Sequence, residues 1–166
     1  MLGHLVSDEV TNYHGTYYQA NAAVMNPGSV QRPRLPIMVA ALGPQMMRHA
    51  VRHADIWNSL SFAPDFDDQM AELGDRCSTM DELCATIGRD ADSLRRSYTM
   101  FDPTARASGG KIGYYESDEV FIEMVRRVTD LGITEVSLYY PAVEAQLPAF
   151  ERIAREVLPE LRNAHV

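Results

Sequence analysis

Pro36-Ile37-Met38-Val39-Ala40-Ala41-Leu42-Gly43-Pro44-Gln45-Met46 is the stretch that decides the fold. It begins with an unbroken apolar run, which suits a strand buried on both faces, as in a parallel sheet. Gly43-Pro44 then turns the chain into a helix. Proline is favoured at the first helical position because the N–H it lacks had no intrahelical partner. Met47, Ala50, Val51 and Ala54 follow on one helical face. A buried strand that runs through a glycine turn into a helix N-terminus is a βα unit. The unpaired N–H groups and the dipole at that helix start make a natural anion site. Its candidate contacts are Ala41, Leu42, Gly43, Gln45 and Met46. A plain βα turn without a ligand carries the same signature.

The same rhythm continues downstream. A second short strand spans about Asp55 to Ser59. A long helix from near Asp65 to Ile87 follows, striped with Met70, Leu73, Cys77, Met80 and Cys84. Gly74 weakens or breaks this helix, and Gly88 is its expected cap. Arg95 to Phe101 reads as a third strand. Residues 103–115 form a glycine-rich loop, read either as a lid or as a disordered stretch. Ser117 caps the next helix, with Asp118 and Glu119 in its first turn and Val120, Met124, Val128 and Leu131 as the buried stripe. Gly132 stops it, Glu135 to Tyr140 is the fourth strand, and Pro148 opens the last helix. Phe150, Ile153, Ala154, Val157, Leu158 and Leu161 line one side of that helix. Strand and helix alternate four times, which implies an α/β protein with a parallel sheet. Upstream, residues 1–34 read as an irregular segment with a turn at Asn26-Pro27-Gly28 and a short extended piece at Tyr17-Tyr18.

Bulk properties narrow the function classes. The 166 residues carry 15 basic and 23 acidic side chains, a net charge of -8. That argues against general binding to nucleic acid or to an anionic membrane. No apolar run approaches the ~20 residues of a membrane span, and Met1 to Glu9 lacks the pattern of a signal peptide. Cys77 and Cys84 share a helix face but lie ~10 Å apart along the axis, too far for a disulfide. A reduced, cytoplasmic protein is the expectation. His49 and His53 have the i, i+4 spacing of a metal pair, but the residues between them, Ala50-Val51-Arg52, lack the glutamate of a zinc protease motif. A surface pair is expected there.

Several pieces, in order, resemble the luciferase-like monooxygenase superfamily. They are His14-Gly15-Thr16-Tyr17-Tyr18, Pro33 through Pro44, Ala54-Asp55-Ile56-Trp57-Asn58, Gly88-Arg89-Asp90 and Leu131-Gly132-Ile133-Thr134-Glu135-Val136. The resemblance implies a TIM barrel that binds FMN or the deazaflavin coenzyme F420 at the C-terminal ends of its strands. It implies hydride transfer or flavin-dependent oxygenation of a small organic substrate. It also implies that the Leu42–Met46 loop contacts the flavin phosphate. A TIM barrel needs eight strands, so four βα units imply a partial barrel. The expected domain layout is an irregular segment over 1–34 and the C-terminal half of a luciferase-like barrel over 35–166. The family's usual acid/base residues lie in the other half, so no catalytic residue is assigned.

On this reading Trp57, Asn58, Phe101 and Tyr139, at strand ends, form the substrate pocket. Core or rim packing is the rival account of these aromatics. Arg32, Arg34, Arg48 and Arg52 make the region around the glycine loop locally positive. The second functional reading is a non-catalytic half-barrel. Exposed inner residues such as Ile37, Val39, Val136 and Leu138 would form an apolar patch too large for a monomer, so the chain would self-associate or pair with a complementary half.

Overall fold

The computed structural model describes residues 4–5 and 10–164 and divides into two compact units, Met1–Ile37 and Met38–Val166. The first unit holds an antiparallel hairpin of β1 (Thr11–His14) and β2 (Gln19–Ala23). The segment expected to be irregular therefore carries regular pairing. Tyr17 and Tyr18 lie in its connecting turn, where Gly15 N donates to Tyr18 O at 2.9 Å, rather than in an extended piece. Asn12 Oδ1 accepts from Ala22 N at 2.9 Å, at a residue held at φ 48.

In the second unit the elements are β3 (Met38–Ala40), α1 (Pro44–His53), β4 (Ile56–Ser59), α2 (Phe66–Ile87), β5 (Arg95–Thr99), α3 (Asp118–Thr129) and β6 (Glu135–Ser137). The C-terminal helix follows as α4 (Leu147–Arg152), a wider turn at Ile153–Val157, and α5 (Leu158–Ala164). The four strands β3-β4-β5-β6 pair in parallel and in chain order, with Val39 beside Trp57, Asn58 beside Ser97 and Tyr98 beside Val136. The expected α/β class with a parallel sheet is what forms.

Local chemistry accounts for the boundaries. Asp65 caps α2 by accepting from Asp67 N at 2.7 Å, and Gly88 ends it at φ 69, a left-handed conformation that glycine adopts without strain. Ser117 caps α3 by accepting from Val120 N at 3.2 Å. Gly74 does not break α2. A Cβ there would make an ordinary 3.7 Å contact with Leu131 Cδ2, in the turn after α3. The expected stripe of α2 is buried in full: Met70, Leu73, Cys77, Met80 and Cys84. In α3 the buried stripe is Phe121, Val125 and Val128, so Val120 and Met124 flank the seam instead of forming it. In the C-terminal helix Ile153 and Val157 are buried, while Ala154 is exposed.

Side-chain alternation fixes the two faces of the sheet. Val39, Trp57, Tyr98, Val136 and Leu138 pack with the helix core. Met38, Ala40, Asn58, Ser97, Thr99 and Ser137 fall on the other face. This corrects the expected inner set, since Val39, Val136 and Leu138 belong to the helix side and are partly buried. The face opposite the helices is largely polar. Asn58 Nδ2 donates to Ser97 Oγ at 3.0 Å and to Thr99 Oγ1 at 3.2 Å, and Arg95 pairs with Glu135 at 2.9 Å. Among the described residues no helix is long and apolar enough to cross a membrane.

Candidate functional site

The carboxyl ends of the four parallel strands gather one set of loops. That end is where α/β folds place their ligands. The loop after β3 enters α1 with Gly43 as the N-cap and Pro44 in the first turn. Among the described residues no side-chain cap hydrogen bond forms there, and no acidic residue stands in the first turn. A helix start without a side-chain cap or an acidic residue in its first turn is suited to an anion. Gly43 has an ordinary extended backbone, φ -105 and ψ 157, so conformation does not require a glycine. A Cβ added there would meet nothing within 4 Å. The missing side chain therefore leaves room outside the chain's own packing.

The loop is held from below. Ala41 N donates to Asn58 O at 3.0 Å, and Ala41 O accepts from Trp57 Nε1 at 2.8 Å. Ala41 is buried, Leu42 is half-buried, and Gly43, Gln45 and Met46 are exposed. Trp57 itself has no exposed surface and sits in the helix-side core. It acts on the loop through its indole N–H and lines no cleft. Arg48 and Arg52 are exposed on α1. Arg32 and Arg34 belong to the first unit and bond there to backbone carbonyls, Arg34 to Leu35 O at 2.8 Å. His49 and His53 stack at 6.4 Å between ring centroids. Among the described residues no group of three or more His, Cys, Asp or Glu could hold a metal ion. Cys77 and Cys84 are buried and unbridged.

Strand-end aromatics meet along the other three loops. Phe101, after β5, contacts Tyr139, after β6, at 5.9 Å, and also Phe62, after β4, at 5.5 Å. The sequence points to Phe101 and Tyr139. It does not single out Phe62, although an aromatic between Ser61 and Ala63 in a polar loop is itself a signal. Asn58, also expected in the pocket, is 6% exposed and is engaged with Ser97 and Thr99 beneath this row.

Buried polar side chains fix the loops. Gln69 is 5% exposed; its Nε2 donates to Ala63 O at 2.8 Å and to Phe101 O at 3.4 Å, while its Oε1 accepts from the Tyr98 hydroxyl at 3.1 Å. Asp102 takes Thr104 N, the Thr104 hydroxyl and Ala105 N on Oδ1, and Gly113 N on Oδ2. Burial pushes its carboxyl up, but these hydrogen bonds outweigh burial and hold it below the ordinary range. Tyr115 donates to Tyr139 O at 2.8 Å, and the Tyr114 hydroxyl accepts from Tyr139 N at 3.0 Å. Gln146 clasps Ile112 through both its amide groups. The loop expected to be a lid or a disordered stretch is thus fastened at Asp102, Ile112, Tyr114 and Tyr115. Burial raises the phenols of Tyr98 and Tyr114 to about 12 and pushes Tyr115 up as well. These groups hold backbone in place. A carboxylate occupied by four donors and phenols this reluctant to ionise are poorly suited to proton transfer near neutrality.

A parallel α/β sheet with a helix N-terminus and an aromatic row at its strand ends has the geometry at which α/β folds place ligands. Residues 1–106 match the family model described as luciferase-like monooxygenase, which is more than half of the 166 residues, and the chain belongs to that family. Among solved structures, the coenzyme F420-dependent tetrahydromethanopterin reductase from Methanopyrus kandleri is similar at TM-score 0.68 and 13% identity, over 96% of this chain and 60% of that one. The monooxygenase RslO1 from Streptomyces bottropensis gives TM-score 0.57 and 18% identity, over 96% and 58%. The long-chain alkane monooxygenase LadA gives 0.59 and 14%, over 93% and 47%. At these identities the likeness is one of fold. The chain spans 47% to 60% of the length of these three structures. No curated protein matches the sequence.

Proposed function

We propose that this chain forms part of a flavin- or deazaflavin-dependent oxidoreductase of the luciferase-like class. Its four βα units correspond to half of an eight-stranded barrel, and the carboxyl ends of its strands hold the cofactor and a small organic substrate. The observation that carries the reading is the start of α1. Gly43 leaves open space at a helix start where, among the described residues, no side-chain cap hydrogen bond forms. A phosphate fits that chemistry, because it accepts several N–H bonds and is favoured by the helix dipole. Ala41, Leu42, Gly43, Gln45 and Met46 are the residues that would hold it, with Trp57 and Asn58 fixing the loop from beneath.

The fold relatives support both cofactor types. The tetrahydromethanopterin reductase is coenzyme F420-dependent, and the solved structure of a riboflavin lyase contains a modified FMN. When bound, such a group supplies hydride transfer or flavin-dependent oxygenation, and the protein supplies binding, orientation and the shape of the site. Fluorescence titration of the purified chain with FMN and with F420 tests the reading. Saturable binding of either cofactor supports it, and no response at high micromolar cofactor contradicts it.

A second reading is favoured by the sheet edges. Among the described strands β3 pairs only with β4, and β6 pairs only with β5. Each leaves a row of backbone donors and acceptors open to further strands. On this reading the chain is a half-barrel that associates, with itself or with complementary βα units, and cofactor binding requires that association.

A further inference from the structure

Phe62, Phe101 and Tyr139 come from three successive strand-end loops and touch in a row, with ring centroids 5.5 and 5.9 Å apart. Phe62 is 66% exposed and Tyr139 46%. Exposed aromatics forfeit the burial that normally stabilises them, and a row that served no ligand would be free to collapse. Here it is kept from collapsing. Gln69 pins the backbone at Ala63 and Phe101, and Tyr114 and Tyr115 pin both backbone groups of Tyr139. All three pinning side chains are almost wholly buried, Gln69 at 5%, Tyr114 at 1% and Tyr115 at 2% exposure, so the backbone that carries the row is held by the protein's own core before anything binds.

Size and place select the occupant. Three side chains are far too little surface for a protein partner, which needs roughly 800 Å² on each side. The row stands at the carboxyl ends of the strands, with the polar group of Asn58 and Thr99 beneath it on the same face. The larger apolar groove, about 750 Å³ between α3, β6 and α5, opens instead toward residues 132–135, where β6 begins. That is the end of the sheet at which parallel α/β folds do not place ligands. We infer that Phe62, Phe101 and Tyr139 form the specificity surface for the apolar part of the organic substrate, a ring or a hydrocarbon chain, with Phe62 as its most exposed member. The inference rests on the strand mouth being the ligand site proposed above and adds the class of substrate moiety it accepts.

The test uses the full chain and anilinonaphthalene sulfonate as an apolar ring probe, read by fluorescence. Phe62→Ala is expected to weaken probe binding about fivefold or more, with an unchanged far-ultraviolet circular dichroism spectrum because the side chain is exposed. Leu158→Ala, in the groove beside β6, is expected to leave probe binding unchanged. FMN affinity, titrated separately, is expected to be the same in Phe62→Ala and the parent chain. Probe binding that resists Phe62→Ala but is lost in Leu158→Ala would overturn the assignment. An equal loss of FMN and probe affinity in Phe62→Ala would also overturn it, by giving the row to the cofactor. Absence of FMN binding to the parent chain bears on the cofactor proposal alone, since the probe comparison stands without it.

Discussion

Gln69 spends its whole carboxamide on three partners: Ala63 O, Phe101 O and the Tyr98 hydroxyl. Replacing it by leucine strips a buried phenol and two loop carbonyls of their partner. Gln69→Leu is expected to lower stability by about 2 kcal/mol, or about 4–8 °C in Tm for a chain of this size, as read by thermal unfolding. The buried phenols give a second check. Unfolded tyrosines ionise near ~10, whereas Tyr98 and Tyr114 are held at about 12 and Tyr115 is also raised. Between those values the folded chain keeps protons that the unfolded chain has lost. Stability is therefore full below pH ~10 and declines as pH rises toward ~12. Ultraviolet titration should show three of the eight tyrosines ionising late, and at once when the chain is unfolded by denaturant. Early ionisation of all eight would contradict the buried placement.

At the scale of elements, the turns and caps are legible in the sequence because each depends on one residue's chemistry: Pro44 at a helix start, Ser117 as a cap, Gly88 and Gly132 at positive φ. The buried stripe of α2 is legible for the same reason, since its spacing is regular. The strand faces are not. In the run from Pro36 to Ala41 every residue is apolar, so alternation gives no phase, and the face expected for Val39 is the wrong one. Trp57 reads as a pocket wall because it ends a strand, but its register partner Val39 ties it to the helix core. The pinning roles of Gln69, Asp102 and Gln146 are invisible in the sequence, because each partner lies far along the chain or inside an irregular loop. Arg89 shows how a family-like segment acts through structure. Its Nη1 donates to Val51 O at 2.9 Å and Ala54 O at 3.0 Å, closing the end of α1 from the turn that follows α2. Arg89→Met is expected to cost about 1–2 kcal/mol and to increase hydrogen exchange at the C-terminal turn of α1. An exchange pattern unchanged from the parent chain would remove Arg89 from that role.

At the scale of the whole molecule, the parallel order β3-β4-β5-β6 leaves both outer edges unpaired among the described strands. The face of that sheet opposite the helices carries polar groups, Asn58, Ser97, Thr99 and the Arg95–Glu135 pair, with Asn58 and Ser97 buried, rather than a continuous apolar patch. Association is therefore expected to run through the edges rather than through an oily face. Sedimentation equilibrium should report a mass above that of one chain, rising with concentration. A strict monomer at all concentrations would set the half-barrel association aside.

The central claim is that the start of α1 receives the phosphate of a flavin-type cofactor, and Gly43 tests it most directly. A Cβ at Gly43 would meet nothing within 4 Å among the described residues, so Gly43→Val is expected to fold with a Tm within about 2 °C of the parent. If a phosphate approaches the loop there, the same change should weaken FMN or F420 binding by at least about tenfold in a fluorescence titration, a loss of about 1.4 kcal/mol. Equal cofactor affinity in Gly43→Val and the parent chain would contradict the account.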